Sequence, residues 1–172
     1  MKKILTVALI VLTLCCLMCS CGDKEAAADN DTVVSAENAD TYTFTFAGVK
    51  IATGVEAADV LASLGEANDT FTSESCAFGG EDTVYYYNGF QLSTNNETGV
   101  EKIFSVYLED DSVATEEGIS IGMTPEQVTA AYGEASSDSA TGTSLIYSKG
   151  DMTLTFTLEN GVVSSILYSN AD

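Results

Sequence analysis

Four segments recur in the same order in the two halves of the chain that follows residue 40. YTFTFAGVKI (42–51) matches VATEEGISI (113–121), and ADVLASLGE (58–66) matches EQVTAAYGE (126–134). VYYYNGFQL (84–92) matches SLIYSKGDMTL (144–154), and GVEKIFSVYL (99–108) matches GVVSSILYS (161–169). A recurring unit of this size is one supersecondary block repeated. It predicts an α+β domain of two tandem units, each a short helix packed on an antiparallel β-sheet. The first unit spans 40–111 and the second 112–172. The first carries an insert, because Tyr87 follows Gly65 by 22 residues whereas Tyr147 follows Gly133 by 14.

Each unit is expected to open with a short hairpin, turning at Ala47-Gly48 and at Glu116-Glu117-Gly118. A helix follows. Thr124-Pro125-Glu126-Gln127 is a capping box with proline at the first helical position, and Gly133 closes that helix. Thr53 and Glu56 have the same capping spacing in the first unit, where Gly65 is the stop. Alternating strands come next. Asn88-Gly89 is a type I′ turn signal that would pair Tyr87 with Phe90 and Tyr85 with Leu92. A four-residue turn, Ser148-Lys149-Gly150-Asp151, would pair Tyr147 with Met152 and Leu145 with Leu154.

Side chains alternate between the two faces of a strand. Tyr85, Tyr87, Phe90, Leu92, Leu145, Tyr147, Met152 and Leu154 are therefore assigned to the helix-covered face, with Phe104, Val106, Leu108, Ile166 and Tyr168. The opposite face takes Tyr86, Ile103, Tyr107, Ile146 and Leu167, a mixed aromatic and aliphatic patch. Such patches mark protein contacts, and Tyr is favoured at binding hot spots. These five residues are the candidate partner-binding set; strand propensity alone would also place β-formers there.

The N-terminal residues read as an address. Lys2 and Lys3 precede an apolar run, Ile4 to Met18, and small residues follow. That is the layout of a secretory signal, residues 1–20. Cys21 at the cleavage point, within LMCSCGDKE, makes it a lipoprotein signal with lipidation at Cys21. Cys19 is the second candidate, and an uncleaved anchor is the alternative for a run shorter than the roughly 20 residues of a spanning helix. Two acyl chains at one cysteine give stable membrane anchoring. Residues 21–39, acidic and alanine-rich, read as a disordered tether. The expected location is the extracytoplasmic face of a cell membrane.

Composition narrows the chemistry. Residues 1–20 hold two of the six basic residues and none of the 26 acidic ones, so the rest is strongly anionic. Such a chain repels nucleic acid. No His is present, which excludes Ser-His and Cys-His catalysis, and no zinc site can be built from Cys76 alone. The acidic run Glu109-Asp110-Asp111 with Glu116-Glu117 is a candidate for Ca²⁺ or for a solvated linker, and it lacks the spaced carboxylates of a calcium loop. Cys76 is either a reactive thiol or a small half-buried residue beside Phe78. We therefore expect no catalytic residue, metal or cofactor, and a non-enzymatic binding or adaptor lipoprotein with an unknown protein partner. The alternative is a small-solute or divalent-cation scavenger.

GISIGMTPEQVTAAYGE (118–134) resembles the short helix motif of the β-lactamase inhibitor protein and of the SmpA/OmlA outer-membrane assembly lipoproteins. SCAFGGEDTVYYYNGF (75–90) and TEEGISIG (115–122) are similar to segments of a recurring group of clostridial lipoproteins of unknown function. The resemblance extends over roughly 40–170. It implies a helix-on-sheet fold that binds proteins through its sheet or loops, and it carries over no individual binding residue.

Overall fold

Alternation of apolar and polar residues after residue 40 is realised as strands over most of its length. The computed structural model describes residues 41–138 and 142–170. The signal, Cys21 and the tether lie outside the described residues. The chain opens with a hairpin, β1 (Phe44–Phe46) and β2 (Val49–Ile51), whose turn residues Ala47 and Gly48 both take positive φ, 50° and 82°. That is the type I′ geometry whose twist suits a two-residue hairpin. Helix α1 (Ala57–Leu64) follows, then β3 (Asp69–Glu74), β4 (Glu81–Tyr86), β5 (Phe90–Asn95) and β6 (Lys102–Leu108). Helix α2 (Pro125–Tyr132) leads into β7 (Ser137–Asp138), β8 (Ser144–Lys149), β9 (Met152–Glu159) and β10 (Val162–Asn170).

The fold is α+β. Strands β3 to β10 form a single antiparallel sheet in the order β3-β4-β5-β6-β10-β9-β8-β7. One sheet replaces the two expected from the sequence, because β6 and β10 pair with each other, Tyr107 opposite Leu167. Left apart, each would present an open row of backbone donors and acceptors; together they satisfy one another. The hairpin and the helices cover one face. Phe44 and Phe46 of the hairpin pack their rings edge-on and tilted against Phe90 at 5.0 and 4.9 Å, and Phe44 reaches Tyr168 at 6.1 Å. Phe90, Leu92, Val106, Leu108, Leu154, Phe156 and Ile166 are buried beneath them. The same core receives Val60 from α1 and Val128 from α2.

Helix α2 starts as its sequence dictates. The Thr124 hydroxyl accepts from the Gln127 N–H, and the Gln127 side chain accepts from the Thr124 N–H at 2.9 Å. Helix α1 does not follow its sequence signal. Its N-cap is Glu56, which makes no side-chain cap, and the Ala57 N–H is met instead by the Glu101 carbonyl at 2.9 Å. Thr53 lies upstream of the cap, buried, and its hydroxyl has no partner. Docking of the helix start against β6 supplies what the capping box would have supplied.

Three turn expectations need correction. Residues 113–121 form no strand: the Thr115 N–H donates to the Ile119 carbonyl and the Ile119 N–H returns to the Thr115 hydroxyl, closing a compact loop that buries Val113, Thr115 and Ile119. At Asn88-Gly89 only Gly89 takes positive φ, 84°, so the turn is not type I′; a Cβ at Gly89 would collide with the Ser112 hydroxyl and the Asp110 carboxylate. Its pairings hold, with Tyr85 opposite Leu92. The third turn is shorter than expected. Lys149 pairs with Met152 and Tyr147 with Leu154 around Gly150-Asp151, with Gly150 at φ 58°. A glycine at the first turn position suits a two-residue type II′ connection. The register moves by two residues, and a shift of two leaves every side chain on its assigned face.

Candidate functional site

The face of the sheet turned away from the helices carries the candidate residues. Their placement follows from register. Asp69 lies opposite Tyr86, Tyr86 opposite Gln91, and Gln91 opposite Tyr107. Tyr107 lies opposite Leu167, Leu167 opposite Thr155, and Thr155 opposite Ile146. Tyr86, Tyr107, Leu167 and Ile146 thus fall in one cross-strand row spanning β4 to β8. Neighbouring strands lie about 4.8 Å apart. Tyr107, at the middle, is 36% exposed, and the other three are half-buried.

Ile103 does not belong to this surface. It is fully buried. The β5–β6 register passes from Ser93 opposite Ser105 to Thr94 opposite Ile103, so Phe104 is an extra residue, a β-bulge. The bulge reverses the alternation and turns Ile103 into the helix-covered core. Phe104, expected in the core, is half-buried and packs its ring on Phe78 at 5.6 Å. A second bulge at Ser164 does the same in β10 and buries Val163. Both inward-turned residues are held alike: the Gly54 N–H donates to the Ile103 carbonyl and the Gly122 N–H to the Val163 carbonyl, at 2.6 and 2.8 Å.

Beside the apolar row runs a polar one. Val84, Ser93, Ser105, Ser169, Thr153 and Ser148 are cross-strand neighbours, and the Thr153 and Ser169 hydroxyls bond at 2.8 Å. Phe71 on β3, opposite Val84, extends the surface and is 59% exposed. Sequence reasoning left Phe71 unassigned; its alternation with Asp69 and Ser73 was the available signal. The face therefore mixes Tyr, Leu and Ile with Gln91 and Thr155 along one row and small hydroxyls along the next, a surface able to pack against a protein.

The acidic run does not converge. Glu109 accepts from the Gln91 amide at 2.5 Å, Asp110 from the Ser112 N–H at 2.8 Å, Glu116 from the Thr45 hydroxyl at 2.8 Å, and Glu117 from the Tyr132 hydroxyl. Among the described residues no group of His, Cys, Asp and Glu is arranged to hold a metal ion. The Ser112 hydrogen bonds hold the Asp110 carboxyl below its usual range. Cys76 is exposed rather than half-buried; its loop, 75–80, reaches back to the sheet at Gly79, whose carbonyl accepts from the Asn95 amide at 3.0 Å, and at Phe78, which meets Phe104.

Tyrosines on the covered face are held neutral. Burial, and then the hydrogen bond to Glu101 at 2.8 Å, push Tyr85 up to about 12. Burial raises Tyr132 far above its usual value, reinforced by Tyr168 and by the bond to Glu117. Clefts open at the surface of the described residues. One, of about 330 Å³, lies between the end of α1 and β3 and is lined by Leu61, Ala67, Thr70, Tyr85 and Tyr87. Another, of about 130 Å³, lies beside Phe78 and Phe104. No described helix is long and apolar enough to cross a membrane. Comparison with protein-family models, with curated proteins and with solved structures finds no match for the chain.

Proposed function

We propose that this chain is a non-enzymatic binding or adaptor protein, anchored through lipid at Cys21 on the extracytoplasmic face of a membrane, which holds a protein partner on its open sheet face. The carrying observation is that Tyr86, Tyr107, Leu167 and Ile146 lie in one cross-strand row from β4 to β8. Tyr presents a large, amphipathic contact at low entropic cost, and the two tyrosines fall in one cross-strand row with Leu167 and Ile146, interrupted only by Gln91 and Thr155. The absence of His and the divergent carboxylates favour binding over catalysis.

In the same reading the domain is two tandem units, 40–111 and 112–172, joined at the β6–β10 seam. The sheet order supports this, since each helix is followed by four strands running from a sheet edge inward to that seam. So do the paired bulges and the paired Gly54 and Gly122 hydrogen bonds.

The test is capture of partners from the native membrane with the lipidated protein. Tyr86→Ala and Tyr107→Ala should weaken capture while leaving the melting temperature nearly unchanged. Capture equal to wild type by both variants would show that the face is only scaffold. Radiolabelled palmitate should enter the wild type and not Cys21→Ala, and equal labelling of both would overturn the anchor.

A further inference from the structure

β3 is the long open edge of the sheet. All six of its residues are exposed, whereas the opposite edge, β7, has only two residues. The Ser75 N–H donates to the Gly80 carbonyl of the β4 side at 3.0 Å. Backbone groups in an antiparallel ladder alternate in direction, so the odd-numbered residues of β3 bond to β4. The N–H and C=O groups of Thr70, Thr72 and Glu74 therefore point to the open side. Edges are usually blunted by Lys, Pro or a bulge; β3 contains no Lys or Pro and its pairing with β4 is unbroken. Among the described residues its cover is local: the Asp69 carboxylate accepts from the Thr70 N–H at 2.8 Å.

The charges around this edge select the occupant. Asp69 and Glu74 stand at its two ends, Glu81 lies opposite Glu74, and Glu66 lies just past α1. No Lys or Arg occurs between Lys50 and Lys102. A second copy of β3 would bring two Asp69 and two Glu74 carboxylates to one strand pair with no cation among them, and like charges close across a strand pair are destabilising. A basic strand reverses both terms. The cleft of about 330 Å³ opens beside Thr70 on the helix-covered side, where an added strand would aim the side chain opposite Thr70. Phe71 offers an apolar partner on the other side.

We propose that β3 accepts an extended basic segment of a protein partner as an added antiparallel strand. Its cationic residues lie opposite Asp69 and Glu74, an aliphatic residue lies opposite Phe71, and a second apolar side chain opposite Thr70 enters the cleft. Strand addition draws affinity from main-chain hydrogen bonds and specificity from alternate side chains. The proposal rests on the protein-binding reading above but uses a different surface, so the two can fail separately.

The probe is the fluorescein-labelled, amidated hexapeptide Lys-Thr-Val-Ile-Leu-Lys, titrated against the full chain by fluorescence anisotropy. Its control carries N-methyl groups on Val and Leu, whose N–H groups would face β3; charge and side chains are unchanged. We expect the methylated peptide and the Thr72→Pro variant each to bind at least about tenfold more weakly. Glu74→Lys, which leaves the backbone intact, should weaken binding similarly, and Tyr107→Ala should leave it unchanged. Hydrogen exchange at Thr72 and Glu74 should slow on saturation. Equal binding of the methylated peptide would reduce the effect to charge attraction and overturn the proposal. Absence of binding at millimolar peptide, or protection appearing along the Tyr107 row instead, would overturn it too. Failure of Tyr86→Ala and Tyr107→Ala to alter partner capture would overturn the face reading alone.

Discussion

The Tyr147 hydroxyl donates to the Gly133 carbonyl at 3.1 Å, tying the end of α2 to the sheet. Tyr87 makes the same bond to Gly65 at the end of α1, at 3.3 Å. In each case the glycine takes φ 80° and its N–H closes the helix on a carbonyl four residues back. The last carbonyls of a helix lack intrahelical donors, and a tyrosine from the covered face of the neighbouring strand supplies one. Tyr147→Phe and Tyr87→Phe should each cost about 0.5–1.5 kcal/mol. Because they share no partner, the double variant should cost their sum within about 0.5 kcal/mol, measured by urea denaturation.

The bulge at Phe104 separates two residues that sequence alternation had grouped together. Ile103→Ala should destabilise by about 2–5 kcal/mol, as expected for a cavity in a packed core. Tyr107→Ala should cost less than about 1 kcal/mol. Equal costs in a urea titration would contradict the inward turn of Ile103.

The two helix starts should respond oppositely to loss of a hydroxyl. Thr124→Ala removes a capping box and should cost about 1 kcal/mol. Thr53→Val removes a buried hydroxyl that has no partner and should be neutral or stabilising by up to about 1 kcal/mol. Thermal unfolding of the two variants distinguishes them.

Alkali should weaken the fold. Tyr85 is raised to about 12, and Tyr132 and Tyr168 are also raised by burial. A folded-state pKa above the unfolded value near 10 favours the neutral phenol in the fold. The stabilisation is complete below about pH 10 and is lost as pH rises through 12. Denaturation midpoints at pH 9, 10.5 and 11.5 should fall in that order, and Tyr85→Phe should flatten the part of the fall due to that phenol.

A chain ending at Asp111 would lose the β10 partner of β6 and the Tyr168 ring beneath Phe44. Two halves that share one core should not survive separation. Circular dichroism in urea should show the shortened chain unfolding far below the midpoint of residues 40–172, and equal midpoints would show independent units.

Local rules were legible where local atoms decide the outcome. The α2 capping box, the Ala47-Gly48 turn and the faces of Tyr85, Tyr87, Phe90 and Leu92 follow from neighbours a few residues away. Even the misjudged turn at Gly150-Asp151 preserved the faces, because side-chain direction depends only on parity. Capping of α1 failed as an inference because its donor is met by Glu101, far along the chain. The surface set of Tyr86, Tyr107, Ile146 and Leu167 was legible in part, and Ile103 was not, since an unpaired extra residue leaves no mark in alternation.

What the amino-acid order determined by itself was the two helices, the 44–51 hairpin, the strand pairs around Asn88-Gly89 and Gly150-Asp151 and, outside the bulges, the side each of their residues takes. Those depend on torsional preference, capping and two-residue periodicity, all short-range. Tertiary structure alone decided that β6 and β10 join the halves into one sheet, that two bulges turn Ile103 and Val163 inward, and that β3 is left as an open edge. Each of these choices balances backbone hydrogen bonds between segments remote in sequence, and that balance exists only once the segments meet.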